Sequence, residues 1–374
     1  MKFNVPSKKL HGFVSAVSKV INSKNALTIL NNFLFTLDGD MLTVKASDME
    51  NSLVGRLPVN EAEGAGSFCL DARRIEALLK EMPDQGITFE IDDDNLDVKI
   101  TYPNGCYNTV AISGVEYPNP TQEDGDTLSF TCPSDQVMKG IESTIFAVGS
   151  DDLRPQMMGI LWDVKPEAIV FVATDTRKLV RYTNSMSKPG VEGSFILPYK
   201  PAAVLKNVFG KEDEIKVTFS DKNVVFESPS FTFDCRLIKG PFPAYNRVIP
   251  TDSPYTLTVD RQSLINAVRR VEVFGNGGNG LVKFKLTPEM LTLRAQDSSF
   301  GTSGWESVPC AYTGNELLIG FSAPYLLEMF SHISTTDVVM KLSDPTRAAI
   351  FVPAEDEPDT ELLMLLMPMT ITAD

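Results

Sequence analysis

The sequence is poor in the residues that build metal and disulfide sites. Its 374 residues include only two histidines and five cysteines. The cysteines are odd in number, widely separated and without a CxxC pair, which favours reduced thiols over a disulfide framework or a zinc site. We therefore expect no metal and no cofactor, and the cysteine usage predicts a cytoplasmic protein.

Long apolar runs are also missing. No stretch approaches the roughly 18 apolar residues of a membrane-spanning helix, and the opening MKFNVPSKKL lacks the apolar segment of a signal peptide. One uncharged stretch stands out near the other end, LLMLLMPMTI at residues 362–371. We interpret it either as a buried strand or as one wall of a groove for an apolar partner.

Positive charge is scarce. Lysine and arginine number 34 against 49 acidic residues, which gives a net charge of −15. Because proteins that grip nucleic acid tightly are usually basic, this balance argues against a tight nucleic-acid groove. The hydrophobic share of 43% is that of a globular protein, and the length favours two or three domains.

One sequence unit occurs three times. The segments FNVPSKKLHGFVSAVSKV, FTCPSDQVMKGIESTIFA and LTVDRQSLINAVRRVEVF begin at residues 3, 130 and 257, a constant interval of 127. Each has a short β-prone run, a break and then a helical period. The predicted helix N-caps are Ser7, Ser134 and Asp260.

A second recurring unit comes after the first in each copy. GSFCLDARRIEALL, GSFILPYKPAAVLK and LLIGFSAPYLLEMF begin at residues 66, 193 and 317, and each again predicts a strand, a break and a helix. The pattern predicts an α+β protein of three repeated domains, each with two helices on antiparallel sheets. We place the domains at residues 1–121, 122–250 and 251–374.

Three aspartates recur after alternating strands, Asp48, Asp175 and Asp297, at intervals of 127 and 122 residues. They could be acid–base carboxylates or magnesium ligands, or they could cap the turn after each strand. Since each occupies the same position of a different repeat, a recurring turn role explains all three. The sequence has no Ser–His–Asp set, P-loop or GxGxxG motif, so we do not expect an enzyme.

The predicted helices are less acidic than the rest of the chain. They carry twelve basic and eight acidic residues, although the whole protein is strongly negative. Equal domains related by a constant rotation can close into a ring, and mildly positive helices suit a hole through which a polyanion slides. The alternative is an ordinary solvated helix surface.

Distinctive motifs extend this interpretation: MKFNV, LTILNNFLF, SDMENSLVGRLPV, VATDTRKL, GPFPAYNRVIP, IGFSAPYLLEMF and MPM. Through them the chain resembles, over its full length, the bacterial β sliding clamps, the processivity subunits of DNA polymerase III. The resemblance implies a DNA-clamp fold without catalytic activity. It also implies a head-to-tail homodimer ring that encircles duplex DNA without sequence preference, and binding to the replicative polymerase, the clamp loader and repair proteins. A protein-interaction scaffold that does not encircle DNA is the alternative.

The resemblance also implies a pocket for a short partner peptide that carries a glutamine followed by leucine and phenylalanine. By motif, its residues here would be Met157, Thr174, Thr176, Arg177, Lys178, Leu179, Pro243, Arg247, Val248, Leu365, Leu366, Met367, Pro368 and Met369. Three departures concern this region: Thr-Arg-Lys at 176–178 replaces Gly-His-Arg, Thr370 replaces an arginine, and Pro155 with Gln156 replaces two tyrosines.

The same resemblance implies two further surfaces. DNA contacts are expected at Lys24, Arg73 and Lys200, for which plain solvated charge is the alternative. The dimer interface is expected to pair the edge around Arg74 and Tyr107 with the edge around Val273 and Phe274 of a second copy.

Overall fold

The computed structural model describes residues 1–118, 125–275, 278 and 280–371. They form two compact units: Met1–Met138 with Lys200–Ile238, and Lys139–Tyr199 with the described residues from Lys239 onward. The helices of the described chain are α1 Ser7–Val17, α2 Ala72–Glu81, α3 Ser134–Thr144, α4 Tyr199–Phe209, α5 Arg261–Glu272 and α6 Ala323–Ser331. None of these helices is long and apolar enough to cross a membrane.

Twenty-six strands account for most of the remaining regular structure in the described chain. The first fifteen are β1 Lys2–Pro6, β2 Asn32–Asp38, β3 Met41–Ser47, β4 Asn51–Pro58, β5 Asn60–Glu63, β6 Gly66–Asp71, β7 Gly86–Ile91, β8 Asp97–Tyr102, β9 Gly105–Val110, β10 Ile112–Ser113, β11 Leu128–Pro133, β12 Gly159–Lys165, β13 Ala168–Thr174, β14 Lys178–Asn184 and β15 Gly193–Pro198. The others are β16 Glu214–Phe219, β17 Asn223–Glu227, β18 Phe231–Arg236, β19 Tyr255–Asp260, β20 Leu281–Thr287, β21 Met290–Asp297, β22 Thr302–Tyr312, β23 Leu317–Ser322, β24 Asp337–Leu342, β25 Ala349–Pro353 and β26 Thr360–Leu366.

The first unit holds two antiparallel sheets. One has five strands in the order β5-β1-β7-β8-β9, and the other has nine in the order β10-β6-β2-β3-β4-β18-β17-β16-β11. The nine-stranded sheet therefore combines strands of the first and second predicted domains, and it does so through the pair β4–β18, in which Phe231 lies opposite Gly55 and Cys235 opposite Asn51.

The second unit is built on one twelve-stranded antiparallel sheet, in the order β15-β12-β13-β14-β26-β25-β24-β19-β22-β21-β20-β23. It combines strands of the second and third predicted domains through the pair β14–β26. The domain boundaries themselves stay a prediction, and the one between residues 121 and 122 lies outside the described residues.

The predicted alternation of strands and helices is confirmed. Each of β1, β6, β11, β15, β19 and β23 leads directly into one of the six helices. The apolar stripe of each helix explains why it forms, since Leu10, Val14 and Val17 of α1 are fully buried. The fold is thus the predicted α+β arrangement of helices on antiparallel sheets.

Two of the three predicted N-caps are wrong. Asp260 does cap α5, because its carboxylate accepts the Ser263 N–H at 2.7 Å. Ser7 and Ser134 instead are the first residues of their helices, and both are fully buried. The Ser7 hydroxyl donates to the Pro83 carbonyl at 2.7 Å, and the Ser134 hydroxyl donates to the Phe209 carbonyl at 2.6 Å.

The reason is burial. A buried hydroxyl needs a hydrogen-bond partner, and at both serines the partner is a carbonyl at or just beyond the end of the next helix in the chain. The two serines therefore tie neighbouring helices together. Position-based prediction of caps cannot distinguish this use of a serine from capping.

The three recurring aspartates are turn caps, as predicted. Asp48 accepts from the N–H groups of Glu50 and Asn51, at 3.2 and 2.8 Å. Asp175 accepts from Arg177 and Lys178, at 2.9 and 2.8 Å, and Asp297 accepts from Ser299 and Phe300, at 2.8 and 3.3 Å. Each carboxylate thus satisfies the backbone donors of its own turn, which is the usual role of aspartate there.

The twelve-stranded sheet generates a stability prediction at Gly159 in β12. A Cβ at this position would lie 2.9 Å from the Leu197 carbonyl carbon of the neighbouring strand, and closer still to its oxygen. Gly159→Ala should lower the free energy of unfolding by about 2 to 3 kcal/mol, because the backbone must shift. The measurement is chemical denaturation.

Gly12 supplies the matched control. It lies in α1, and a Cβ there would meet no atom within 4 Å. Gly12→Ala should stabilise by up to about 1 kcal/mol through helix propensity. Equal stabilities for the two variants would contradict the packing described for β12 and β15.

Candidate functional site

The apolar stretch near residue 366 is both a strand and a surface. β26 pairs with β14 along its whole length, from Lys178 opposite Leu366 to Asn184 opposite Thr360. Beyond the strand, the Met367 N–H donates to the Arg177 carbonyl at 2.8 Å, and the Met369 N–H donates to the Gly320 carbonyl at 2.8 Å. These backbone bonds hold the segment after β26 against the β13–β14 turn and against β23.

Burial divides this segment into two parts. Leu365 and Leu366 are 3% and 1% exposed, so they belong to the core of the second unit. Met367 is 43% exposed, and Pro368 and Met369 are half-buried. Both interpretations of the stretch therefore apply, each to different residues: the leucines anchor the strand, and residues 367–369 present an apolar surface.

The turn between β13 and β14 and the two strand residues that flank it include four of the predicted pocket residues, Thr174, Thr176, Arg177 and Lys178. The Thr174 hydroxyl donates to the Lys178 carbonyl at 2.8 Å and accepts the Thr176 N–H at 3.2 Å. Thr176 has φ of +78°, an unfavourable conformation for a β-branched residue. Met49 has φ of +81° at the equivalent position of the first repeat. The first and second repeats therefore share this turn conformation.

Lys178 is a buried cation in the wall of this region, with a side chain only 6% exposed. Its ammonium pairs with Glu328 of α6 and lies 3.8 Å from Asp175 Oδ2. It also lies 4.8 Å from the ring centroid of Tyr325 and 5.5 Å from that of Phe146. A buried charge needs such partners. The Lys178–Glu328 ion pair and the contact of Lys178 with Tyr325 connect β14 to α6.

Sequence reasoning missed Glu328, Tyr325 and Phe146. They approach Lys178 from up to 150 residues away in the chain, and no local pattern marks them. One signal in the sequence pointed to such a partner: Thr-Arg-Lys replaces Gly-His-Arg at residues 176–178. This places Lys178 at the start of a buried strand, where a lysine requires a carboxylate partner.

The predicted pocket residues Pro243, Arg247 and Val248 lie on another segment of the same unit. Tyr245 fixes this segment, since its buried hydroxyl donates to Asp163 Oδ2 in β12 at 2.9 Å. Burial, with the hydrogen bond to Asp163, raises the pKa of Tyr245 to about 12. The anchored turn leaves Arg247 and Val248 exposed.

The remaining pocket residues have plain roles in the structure. Leu179 is 3% exposed within β14, and Met157 is half-buried, with its carbonyl accepting the Gly149 N–H at 2.8 Å.

Gln156, one of the departures, covers Gly240, where φ is +99° and a Cβ would come within 2.9 Å of the Gln156 amide nitrogen. A side chain on residue 240 would displace Gln156.

The three predicted DNA contacts differ in environment. Lys24 and Arg73 are exposed, whereas the Lys200 ammonium donates to Val20 O, Asn22 Oδ1 and Asp48 Oδ2, at 2.8, 2.5 and 3.0 Å. The helices also retain their charge bias. Within the observed helix bounds, eleven basic and six acidic residues occur in a chain of net charge −15.

The four predicted interface residues are all exposed, and three of them, Tyr107, Val273 and Phe274, are apolar. Tyr107 in β9 is 41% exposed and stacks on Tyr102, with ring centroids 5.9 Å apart. Val273 and Phe274, just after α5, are 78% and 47% exposed. Arg74 is exposed on α2. Trp305 in β22 is a further large exposed side chain, 71% exposed, that the sequence motifs did not single out.

Comparison with known proteins matches this architecture from end to end. Family models of the DNA polymerase III beta subunit match the chain in three parts: the N-terminal domain at residues 1–120, the central domain at 131–244 and the C-terminal domain at 246–370. The chain belongs to the DNA polymerase III beta subunit family, whose members are non-enzymatic clamps.

Individual relatives are distant but cover the whole length. The beta sliding clamp of Pseudomonas aeruginosa is 26% identical over 99% of this chain and 100% of its own, and that of Bacillus subtilis is 23% identical over 97% and 99%. A crystal structure of the P. aeruginosa sliding clamp superposes with a TM-score of 0.92 at 26% identity, covering 99% of this chain and 100% of that one. The beta subunit of Thermotoga maritima shares the fold, with a TM-score of 0.91 at 22% identity over the same shares.

Proposed function

We propose that two copies of this chain close head-to-tail into a ring around duplex DNA. As a sliding clamp in the cytoplasm, the ring tethers the replicative polymerase and other replication and repair proteins to DNA. Membership of the beta subunit family supports the role. The observation that carries it is the arrangement of strand edges in the two units.

Within the chain, two sheets are extended across predicted domain boundaries by equivalent strand pairs. β4 and β14 begin 127 residues apart, and β18 and β26 begin 129 residues apart, so the pairs β4–β18 and β14–β26 repeat one junction. The strand of the third repeat that corresponds to β4 and β14 is β22, which begins 124 residues after β14. The strand of the first repeat that corresponds to β18 and β26 is β9, which begins 126 residues before β18.

These last two strands have free edges in the described chain. β9 pairs only with β8, and residues 302–309 of β22 pair only with β21. An unpaired edge is a template for another strand. A third junction of the same kind, between β22 of one copy and β9 of a second, satisfies both edges and closes the ring after two copies.

The side chains at these edges suit a protein–protein junction. Tyr107 on β9, Trp305 on β22 and the neighbouring Phe274 are large, apolar and exposed. Clusters of exposed aromatic residues are typical of interfaces. The predicted pairing of Tyr107 with the region of Val273 and Phe274 agrees with the same alignment of edges.

The charge distribution suits sliding on DNA. The helices carry the excess of positive charge, so helices lining the hole attract the phosphate backbone weakly, while the acidic remainder repels DNA. Because a closed ring is held by topology, tight binding is unnecessary and sequence is not read. Lys24 and Arg73, both exposed, are the proposed phosphate contacts.

The proposed peptide groove combines the exposed part of the segment after β26 with the β13–β14 turn, which is bonded to it, and with the exposed turn that carries Arg247 and Val248. Met367 offers an unbranched, adaptable surface to apolar peptide side chains. The Arg177 carbonyl accepts the Met367 N–H at 2.8 Å, and the side chains of Arg177, Arg247 and Val248 are exposed. A groove of this kind can accept peptides from several competing partners.

The ring is tested by its dependence on DNA topology. Protein loaded by a clamp loader onto circular duplex DNA should stay bound during gel filtration and should be lost once the circle is cut, because it slides off the ends. Linear DNA with blocked ends is the control and should retain the protein. Retention on cut, unblocked DNA would contradict encirclement and favour an ordinary scaffold.

The groove is tested at Met367. Met367→Ala should weaken binding of a peptide carrying glutamine, leucine and phenylalanine by about tenfold, through lost apolar contact, as measured by calorimetric titration. Leu366 is unsuitable for this test because it is 1% exposed, and truncating it would cost about 2 to 5 kcal/mol of stability.

Met290 provides the matched control for this variant. It is 38% exposed in β21, comparable with Met367, and Met290→Ala should leave peptide affinity unchanged. If Met367→Ala leaves the peptide affinity unchanged while circular dichroism shows an intact fold, the placement of the groove at residues 367–369 is contradicted.

A further inference from the structure

Lys200 makes a set of contacts that a DNA-binding lysine would not need. It lies in the first turn of α4, and its ammonium reaches the loop after α1 and the turn between β3 and β4. The acceptors are Val20 O at 2.8 Å, Asn22 Oδ1 at 2.5 Å and Asp48 Oδ2 at 3.0 Å. All of these residues belong to the first unit.

The acceptors are themselves connected. The Asn22 amide donates to Asp48 Oδ2 at 3.3 Å, so Lys200, Asn22 and Asp48 form a closed triangle of hydrogen bonds. The Asp48 side chain is only 5% exposed, and its other oxygen accepts the Asn51 N–H. A nearly buried carboxylate requires a cation or donors, and Lys200 is the cation that it has.

The same loop is fastened again further along. The Asn25 amide donates to Asn22 O, Leu30 O and Asn31 Oδ1, at 3.2, 3.3 and 2.9 Å. Lys24 lies between these two points, and it is exposed. No hydrogen bond or ion pair of its ammonium occurs among the described residues. The loop therefore presents one free cation from a doubly anchored backbone.

Donor counting separates the two lysines. An ammonium has three hydrogens, and Lys200 has three acceptors within hydrogen-bond distance. Moving it to a phosphate would break three bonds and leave the Asp48 carboxylate without its cation. Lys24 would break no hydrogen bond within the described residues on binding a phosphate. The full charge of its ammonium is therefore available to the phosphate.

We propose that Lys200 is a positioning residue that fixes the loop at residues 21–31 and thereby presents Lys24 to DNA, without itself binding phosphate. We call the hydrogen bonds of Lys200 to Val20, Asn22 and Asp48 the clasp. The clasp joins α4, in the second predicted domain, to two loops of the first. The part concerning DNA rests on the proposed function, whereas the clasp does not.

The clasp is tested without DNA by hydrogen exchange on the full chain. Lys200→Met and Asp48→Asn should each speed amide exchange within residues 21–31 by about tenfold, because each removes a charge-assisted anchor. Asp48→Asn keeps a side-chain oxygen that can accept from the backbone N–H groups of its turn. Lys200→Arg should restore most of the protection.

Lys211 is the control for lost charge. It is exposed just beyond α4, and Lys211→Met should leave exchange in residues 21–31 unchanged. Wild-type exchange rates in both Lys200→Met and Asp48→Asn would overturn the clasp, whatever the DNA measurements show.

Phosphate contact is tested by the salt dependence of binding to a short linear duplex. The slope of log K against log salt is negative; its magnitude, called the slope here, falls by about 0.9 for each lost contact. Lys24→Met should lower the slope by that amount for each Lys24 of the ring that contacts DNA, and Lys200→Met should lower it only through Lys24. The double variant should therefore match Lys24→Met alone.

Two outcomes would overturn the positioning role. A double variant whose slope falls by about another 0.9 beyond that of Lys24→Met would make Lys200 a direct contact. A Lys200→Met slope equal to the wild-type value would mean that the loop needs no anchor for DNA binding. Asp48→Asn separates the cases further: it should lower the slope if Lys200 positions Lys24, and should leave or raise it if Lys200 is freed to bind phosphate.

Discussion

Backbone pairing between strands of different repeats is the constraint on which the rest depends. The pairs β4–β18 and β14–β26 make one nine-stranded and one twelve-stranded sheet from strands of three repeated domains. Because a strand edge must be paired or protected, the repeat that creates these two junctions also leaves β9 and β22 open. In the proposed ring, dimerisation continues a bonding pattern already present inside the chain, and ring closure ends it.

The same junction places the candidate peptide groove. β26 is anchored on β14 by buried leucines, and this brings residues 367–369 against the β13–β14 turn. The buried Lys178 with Glu328 holds that turn to α6. The turn conformation recurs at Met49 and Thr176, so the proposed groove would use a turn that the first two repeats share and would take its apolar character from residues 367–369.

Much of this was readable from the sequence, because repetition exposes structure. The three-fold interval predicted the strand–helix pairs, and the position of Asp48, Asp175 and Asp297 predicted their turn caps. The burial of Ser7 and Ser134 and the triangle around Lys200 were not predictable, since their partners come from 76, 75 and up to 180 residues away. A serine or lysine looks the same in sequence whether it meets water or a distant carbonyl, and only the packed structure decides.

Light scattering across a range of protein concentrations tests ring closure most directly. Closure of the β22 and β9 edges predicts a constant mass of twice the 41.1 kDa chain, because a closed ring leaves no edge to extend. A mass of one chain at every concentration would contradict the account, as would a mass that keeps rising with concentration, the behaviour of a head-to-tail filament that never closes.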